Sequence, residues 1–173
     1  RLLPHPGSLS RISRSATRAR LMDITIADEQ DDPLPSLNLE GLARTALEAE
    51  DLPDSTQVSI ALVDPARMAD LNIEYMGKHG PTDVLSFPIE DFSAPPVPDL
   101  DGPPLLLGDV VICPSVVGDN AAAAAVAFED EMALMVVHGI LHLLGHDHVT
   151  DAEAELMEQR EREILAMVGR ERP

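Results

Sequence analysis

Apolar and polar residues alternate along several short stretches of this chain, which is the pattern of strands with one buried face. The clearest alternation is in QVSIALV, and LLLGDVVICP is the most convincing strand. Together with MDITIA and DVLSFP, they predict four strands, at residues 24–27, 57–63, 83–88 and 105–114.

Other stretches repeat apolar residues every three to four positions, which predicts amphipathic helices. In residues 39–50 the repeat places five apolar side chains on one face: Leu39, Leu42, Ala43, Ala46 and Leu47. Two further helices are predicted, at 114–125 and at 129–144.

Two more helices are marked by their first residues. Asp64 followed by Pro65 combines a cap with a first-turn proline, and this predicts a helix to about residue 75. Thr150 and Glu153 form a capping box, so a last helix is expected to run to about residue 168. Because strands and helices are interleaved, the sequence predicts an α+β fold, a small mixed four-stranded sheet flanked by helices.

Residues 1–21 are rich in arginine and serine and contain no acid. They lack the apolar core of a secretory signal, whereas an organellar transit peptide would look similar. Upstream sequence is the favoured alternative, because Met22 opens a strand-like run. We therefore expect a basic leader or upstream sequence at 1–21 and one domain at 22–173. The proline-rich stretch 91–104 is expected to be a spacer or a flexible lip over a site.

The chain is strongly acidic, with 12 basic and 31 acidic residues and a formal net charge of −19. Five arginines precede Met22, so the remaining residues carry 7 basic and 31 acidic groups, a net charge of −24. Such a body repels a phosphate backbone unless cations or a partner intervene. Adaptation to salt is the alternative explanation of this acidity.

Cys113 is the only cysteine, which argues against an internal disulfide framework and fits a reducing, cytoplasmic location. No apolar run reaches the length of a membrane span, so we expect no contact with a membrane.

Four of the six histidines lie in HGILHLLGHDH, residues 138–148. His138 and His142 are four apart in a helical stretch, so both imidazoles project from one face. Gly145 permits a positive φ that ends the helix, and the returning chain lets His148 approach the same point. Three neutral imidazoles with an open fourth position are typical of catalytic zinc. We therefore expect one Zn²⁺ per chain at the end of this helix.

The residues between these histidines have their own expected roles. His146 is expected to be a cleft residue rather than a ligand, and Asp147 either orients an imidazole or faces solvent. Gly139 stands where HExxH proteases carry the glutamate that takes a proton from water. No catalytic base is therefore assigned, the usual peptidase mechanism is disfavoured, and a phosphodiester suits the site better. The alternative is that these are ordinary helix and loop histidines.

Three motifs resemble one known family. HGILHLLGHDH is similar to the HGxLHLxGHDH signature of the YbeY family, bacterial zinc-dependent endoribonucleases that mature ribosomal RNA. LNIEYMGKHGPTDVLSFP, residues 71–88, resembles the family's LNxxYRGKxxPTDVLSFP. LLGDVVIC, residues 106–113, resembles its LGDIVIC strand. The motifs occur in the family's order.

The resemblance implies that His138, His142 and His148 are the zinc ligands, in a cleft at one end of the sheet. It implies action on single-stranded ribosomal RNA, notably near the 3′ end of the small-subunit RNA, and in quality control of defective ribosomes. It further implies a small-subunit ribosomal protein and a ribosome-assembly GTPase as partners.

The chain departs from the family at Met76, where many members carry an arginine to which phosphate binding is assigned. Lys78, the only lysine, then becomes the nearest cation, with a solvated turn residue as the alternative. Thr82 and Ser86 lie on the segment that the family places along the cleft, so their hydroxyls could contact phosphate, although Thr82 could equally cap a turn. With an acidic body and Met76, the protein is expected to depend on a ribosomal partner to deliver its substrate.

Three functions compete at this point. The first is a metal-dependent endoribonuclease in ribosomal RNA processing, which we favour. The second is a zinc hydrolase acting on a substrate other than nucleic acid, and the glycine beside the first histidine counts against it. The third is a non-enzymatic ribosome-assembly factor that contains structural zinc.

Overall fold

The computed structural model describes residues 22–89, 92 and 102–173. Its strands are β1 Asp23–Asp28, β2 Thr56–Leu62, β3 Val84–Pro88 and β4 Leu105–Ile112. They form one sheet in the order β1-β2-β4-β3. The first three strands in that order run parallel, and β3 pairs with β4 in the antiparallel direction. The sheet is therefore mixed, with β3 at one edge.

Five helices are present in the described part of the chain: α1 Leu39–Ala49, α2 Pro65–Met76, α3 Pro114–Ala124, α4 Phe128–Leu143 and α5 Asp151–Met167. The side chain of Asp64 caps α2 by accepting the N–H of Arg67 at 2.8 Å. Thr150 and Glu153 form the capping box that starts α5. Both helix starts agree with the sequence prediction.

Helix α4 is the centre of the main core, because ten of its sixteen residues are buried. A helix that is apolar on nearly every side must be covered all round. It contacts β3 and β4 of the sheet and the helices α1, α3 and α5. On the opposite face of the sheet, α2 packs Met68 and Leu71 against Leu85 and Val111. The fold therefore has three layers: α4 with the helices packed around it, the sheet, and α2 on the opposite face.

A bulge in β4 sets which side chains face α4. The register with β2 shifts between Gln57 and Val58, and Leu107 is the extra residue. Gly108 follows with a φ of 134°, and a side chain there would collide with the backbone of β3. After this bulge, Val110 is fully buried and contacts α4.

The predicted α+β fold with a mixed four-stranded sheet is confirmed. All nine predicted elements are present, with ends shifted by one or two residues. The strand predicted to reach residue 114 ends at Ile112, because Pro114 starts α3 instead. Residues 1–21 and most of 91–104 lie outside the described residues, so their predictions remain predictions. No helix in the described ranges is long and apolar enough to cross a membrane.

Candidate metal centre

Helix α4 lies close against the sheet at Gly139. A Cβ atom at this position would lie 2.4 Å from Cγ1 of Val110 and 3.4 Å from Oγ of Ser86. This lack of space explains a glycine inside a helix, where it costs about 1 kcal/mol relative to alanine. The same lack of space excludes the glutamate that HExxH proteases carry at this position.

The last turns of α4 present two imidazoles to one point. The Nε2 atoms of His138 and His142 lie 3.1 Å apart, and both side chains are partly buried. The ring of His148, which is exposed, has its centroid 5.7 Å from that of His138 and 5.0 Å from that of His142. One possible ligand atom from each histidine lies within 4.8 Å of the other two. The structure therefore brings the three proposed ligands together.

A turn after α4 returns the chain to the site. Gly145 has a φ of 89°, and its N–H bonds to the carbonyl oxygen of His142 at 3.0 Å. The carboxylate of Asp147 accepts the backbone N–H of His148 at 2.7 Å. Asp147 therefore shapes the turn through the backbone of His148, and its exposure agrees with the solvent-facing alternative of the sequence analysis.

The donor set fits a divalent metal ion. Burial, followed by the charges of His138 and His148, lowers the pKa of His142 from its ordinary value of 6.5. A lowered pKa favours the neutral imidazole that a metal ligand requires. Nitrogens bound to tetrahedral zinc at about 2.0–2.1 Å lie roughly 3.3 Å from one another, which is close to the spacing of the first two Nε2 atoms. Among the described residues, no other histidine, cysteine or carboxylate joins the cluster.

The site contains one residue that the sequence reasoning missed, Glu161 on α5. Its Oε1 lies 2.7 Å from Nδ1 of His138, and its Oε2 accepts a hydrogen bond of 2.6 Å from Nε of Arg172. Burial raises the pKa of Glu161, but the hydrogen bonds from His138 and Arg172 outweigh it and hold the pKa below 4.5. The available signal was a glutamate on the buried face of α5, between Met157 and Ile164.

A cavity of about 680 Å³ opens beside the histidines, between the end of α2, the edge strand β3 and the turn after α4. It gathers every residue that the sequence analysis assigned to the metal or to the substrate: Lys78, Thr82, Ser86, His138, His142, His146 and His148. Met76, the departure from the family motif, also lines it and is 53% exposed.

The two hydroxyls in this cavity already have acceptors. Thr82 can donate to Oδ1 of Asp83 at 3.1 Å, and Ser86 donates to the carbonyl oxygen of Gly139 at 2.9 Å. A phosphate oxygen needs a hydrogen-bond donor. Neither hydroxyl can donate to phosphate while it keeps these bonds.

The cationic and imidazole candidates differ in their surroundings. Lys78 is exposed and forms no ion pair with any carboxylate in the described residues. Nε2 of His146 lies 3.6 Å from Oε2 of Glu50, which also pairs with Arg160. His146 therefore points to a carboxylate outside the metal cluster, and Lys78 is free to meet an anion.

Comparison with known proteins identifies the family. A sequence profile described as Endoribonuclease YbeY matches residues 25–169. The chain is 42% identical to the Endoribonuclease YbeY of Thermobifida fusca (strain YX) over 145 residues, which cover 84% of this chain and 93% of that protein. It is 46% identical to the Endoribonuclease YbeY of Alteromonas mediterranea over 143 residues, which cover 83% and 85%.

A solved structure agrees with this result. The chain is similar to the solution structure of TM1509 from Thermotoga maritima, with a TM-score of 0.54 and 25% sequence identity. The match covers 86% of this chain and 92% of the other. The resemblance found from three sequence motifs is thus confirmed by the whole domain, and the chain belongs to the endoribonuclease YbeY family.

Proposed function

We propose that this protein is a metal-dependent endoribonuclease that cleaves single-stranded ribosomal RNA. Its sites of action are the 3′ end of the small-subunit RNA during processing and the RNA of defective ribosomes during quality control. One observation carries the proposal: three imidazoles converge beside an open cavity in a chain of the endoribonuclease YbeY family.

The metal is Zn²⁺, one ion per chain, held by His138, His142 and His148. Imidazole nitrogen is a preferred ligand of zinc, and three protein ligands are usual in its catalytic sites. When bound, such an ion supplies Lewis acidity towards a water molecule and a phosphoryl oxygen. No side chain is assigned as the general base, since Gly139 has no room for one.

The chain's own residues place the phosphodiester. Lys78, which lines the cavity, attracts a backbone phosphate, and His146 lines the same cavity. Thr82 and Ser86 act mainly as structural residues of that wall, because their protons are donated within the protein. Direct attraction of the RNA backbone by the cavity therefore rests mainly on Lys78.

The acidic body makes a partner necessary. Residues from Met22 onward carry a net charge of −24, and the motif arginine is replaced by Met76. Free RNA is repelled by such a surface at low salt. We therefore propose that a small-subunit ribosomal protein or a ribosome-assembly GTPase delivers the substrate, in the cytoplasm.

A nuclease assay with metal analysis tests the proposal. Protein purified without added zinc is expected to contain about one Zn²⁺ per chain and, with its ribosomal partners present, to cleave a single-stranded RNA with the small-subunit 3′ sequence. His138→Ala should lose both metal and cleavage, whereas His79→Ala, an exposed histidine outside the cavity, should keep both. Equal cleavage by wild type and His138→Ala would indicate a contaminating nuclease and contradict the proposal.

The same acidity and Met76 favour a second candidate, a ribosome-assembly factor whose zinc is structural. It predicts that the wild-type protein binds zinc and ribosomal subunits but cleaves no RNA, even when its partners are present. Sizing of ribosomal RNA ends after incubation of isolated ribosomal subunits with the zinc-containing wild-type protein separates the two. New RNA ends that depend on the protein are expected only for the enzymatic function.

A further inference from the structure

We infer that Glu161 is a positioning residue of the metal centre, which fixes the tautomer and orientation of His138 and links helix α5 to the metal. This inference rests on the proposed metal site, and it adds a residue that lies outside the histidine motif. It also assigns a role to Arg172, which contacts the same carboxylate.

The two nitrogens of the His138 ring face different partners. Nδ1 lies 2.7 Å from the Glu161 carboxylate, and Nε2 lies 3.1 Å from Nε2 of His142, inside the cluster. An ionised carboxylate can only accept a hydrogen bond, so the proton of the neutral ring must sit on Nδ1. The lone pair on Nε2 is then available to a metal ion.

The carboxylate itself is held in place from its other side. Glu161 is 1% exposed, whereas the side chain of His138 is 23% exposed and that of Arg172 is 26% exposed. Nε of Arg172 donates to Oε2, so each carboxylate oxygen has a different donor. A buried carboxylate with both oxygens bonded cannot rotate freely, and it therefore fixes the plane of the imidazole.

Neither of the other two ligands has this support. In the described residues, no carboxylate forms an ion pair with the ring of His142 or of His148. His142 is instead constrained by the helix, and His148 is on an exposed turn. The effect of Glu161 is thus confined to one of three ligands, so its loss should weaken metal binding without abolishing it.

Buried ion pairs also occur as purely structural links, and here such a link would simply attach α5 to α4. That alternative predicts a loss of stability in the metal-free protein with no change in metal affinity. Positioning predicts a lower metal affinity even where the metal-free protein is folded. It also predicts that metal binding protects the backbone amides of α5, because ligand and helix share one hydrogen bond.

The test compares Glu161→Gln with Glu158→Gln. Glu158 lies one turn earlier on α5 and also pairs with Arg172, at 3.7 Å, but it pairs with no histidine within the described ranges. The Zn²⁺ affinity of each metal-free protein is measured by competition with a chromophoric chelator, and the visible spectrum of the Co²⁺ form reports the ligand geometry. Glu161→Gln is expected to bind Zn²⁺ roughly 10- to 100-fold more weakly, with an altered Co²⁺ spectrum. Glu158→Gln should stay within about twofold of wild type.

A measurement on the wild type covers the case in which Glu161→Gln does not fold. In ¹⁵N-labelled metal-free protein, long-range ¹H–¹⁵N spectra distinguish the two tautomers of a histidine ring. His138 is expected as the Nδ1–H tautomer, and finding the Nε2–H tautomer would overturn the inference. So would wild-type Zn²⁺ affinity in folded Glu161→Gln, or an equal loss in Glu158→Gln. If the wild type binds no Zn²⁺ at all, the proposed metal-dependent function is contradicted. If only the role of Glu161 is wrong, the wild type still binds Zn²⁺, so the two failures are distinguishable.

Discussion

The hydroxyl of Ser86 on β3 donates a hydrogen bond of 2.9 Å to the carbonyl oxygen of Gly139 on α4, 53 residues further along the chain. This bond joins the edge strand of the sheet to the helix that carries His138 and His142. Beside it, Gly139 packs directly against Val110. The position of two candidate ligands therefore depends on the hydrogen bond between two small residues, Ser86 and Gly139.

Ser86→Ala removes the donor of this hydrogen bond. It is expected to lower the free energy of unfolding by about 1 kcal/mol, the usual contribution of one hydrogen bond. Denaturant unfolding of the metal-free protein measures the change. Ser59→Ala is the control, since Ser59 is a strand residue whose hydroxyl forms no hydrogen bond in the described part of the chain. Equal effects of the two substitutions would argue against a stabilising contribution from the Ser86–Gly139 hydrogen bond.

Gly139→Ala tests the close packing of α4. Alanine gains about 1 kcal/mol in helix propensity, but overpacking a core costs about 1–3 kcal/mol. Packing should prevail, because the new Cβ would lie 2.4 Å from a fully buried Val110. We expect a net loss of about 1–2 kcal/mol in thermal or denaturant unfolding.

A second glycine provides the matched control for that substitution. Gly118 is inside α3, and a Cβ atom there would lie 3.7 Å from the nearest atom, which is ordinary contact. Gly118→Ala should therefore stabilise the protein by about 0.5–1 kcal/mol. The double variant Gly139→Ala with Val110→Ala should show a favourable coupling energy, since truncating the valine side chain makes room for the new methyl group. Additive losses would contradict the packing explanation.

Met76→Arg restores the residue that the family motif carries at this position. Met76 is 53% exposed at the cavity, so an arginine can extend towards a phosphate without a buried charge. We expect roughly fivefold tighter binding of a short single-stranded RNA, with a salt dependence steeper by about 0.7 in log–log slope. Fluorescence anisotropy at several salt concentrations measures both quantities.

Ile73→Arg separates a local contact from a change in total charge. Ile73 is 48% exposed on the same helix but does not line the cavity, and the substitution adds the same single charge. Its effect on RNA affinity should be smaller than that of Met76→Arg. The prediction is wrong if both variants gain equally.

The ion pair between Glu50 and Arg160 gives stability that depends on pH. Burial raises the pKa of Glu50, but hydrogen bonds from His146 and Arg160 outweigh this effect and lower the pKa from 4.5. A carboxyl with a lowered folded-state pKa stabilises the fold above pH 4.5, and this contribution is lost as the pH falls through the lowered value. Glu50→Gln should therefore cost about 1 kcal/mol near pH 7 and less at about pH 3.

Urea unfolding at the two pH values measures this difference. Glu40→Gln is the comparison, because Glu40 pairs with Arg44 on the surface of α1 and is 57% exposed. Exposed pairs of this kind contribute only a few tenths of a kcal/mol. An equal loss of unfolding free energy at both pH values for Glu50→Gln would show that the packing of the side chain, rather than its charge, provides the stability.

The sequence predicted the elements of the fold well because each element carries its own local signal. The capping box at Thr150 and the proline after Asp64 placed two helix starts, and alternation in residues 57–63 placed a central strand. The three metal candidates were predictable for the same reason. Their spacing on one helix and its returning turn is a local property of residues 138–148.

The remaining parts of the site depend on contacts that no local pattern reveals. Glu161 meets His138 across 23 residues, and Ser86 meets Gly139 across 53. The sequence suggested that the Ser86 hydroxyl could contact phosphate; in the fold Ser86 lines the cavity and donates its proton to the carbonyl oxygen of Gly139 on α4. Gly139 was noticed as a missing glutamate, but its cause, the side chain of Val110, became visible only once the sheet and helix were packed.

The end of α4 at Leu143, followed by the turn at Gly145, divides the three imidazoles into unequal partners. His138 and His142 lie on a helix with ten buried residues, while His148 is on an exposed turn. Local opening is cheapest where little apolar surface is covered. We therefore expect a bound metal ion to be exchanged by displacement of His148 alone, while His138 and His142 keep their positions on α4.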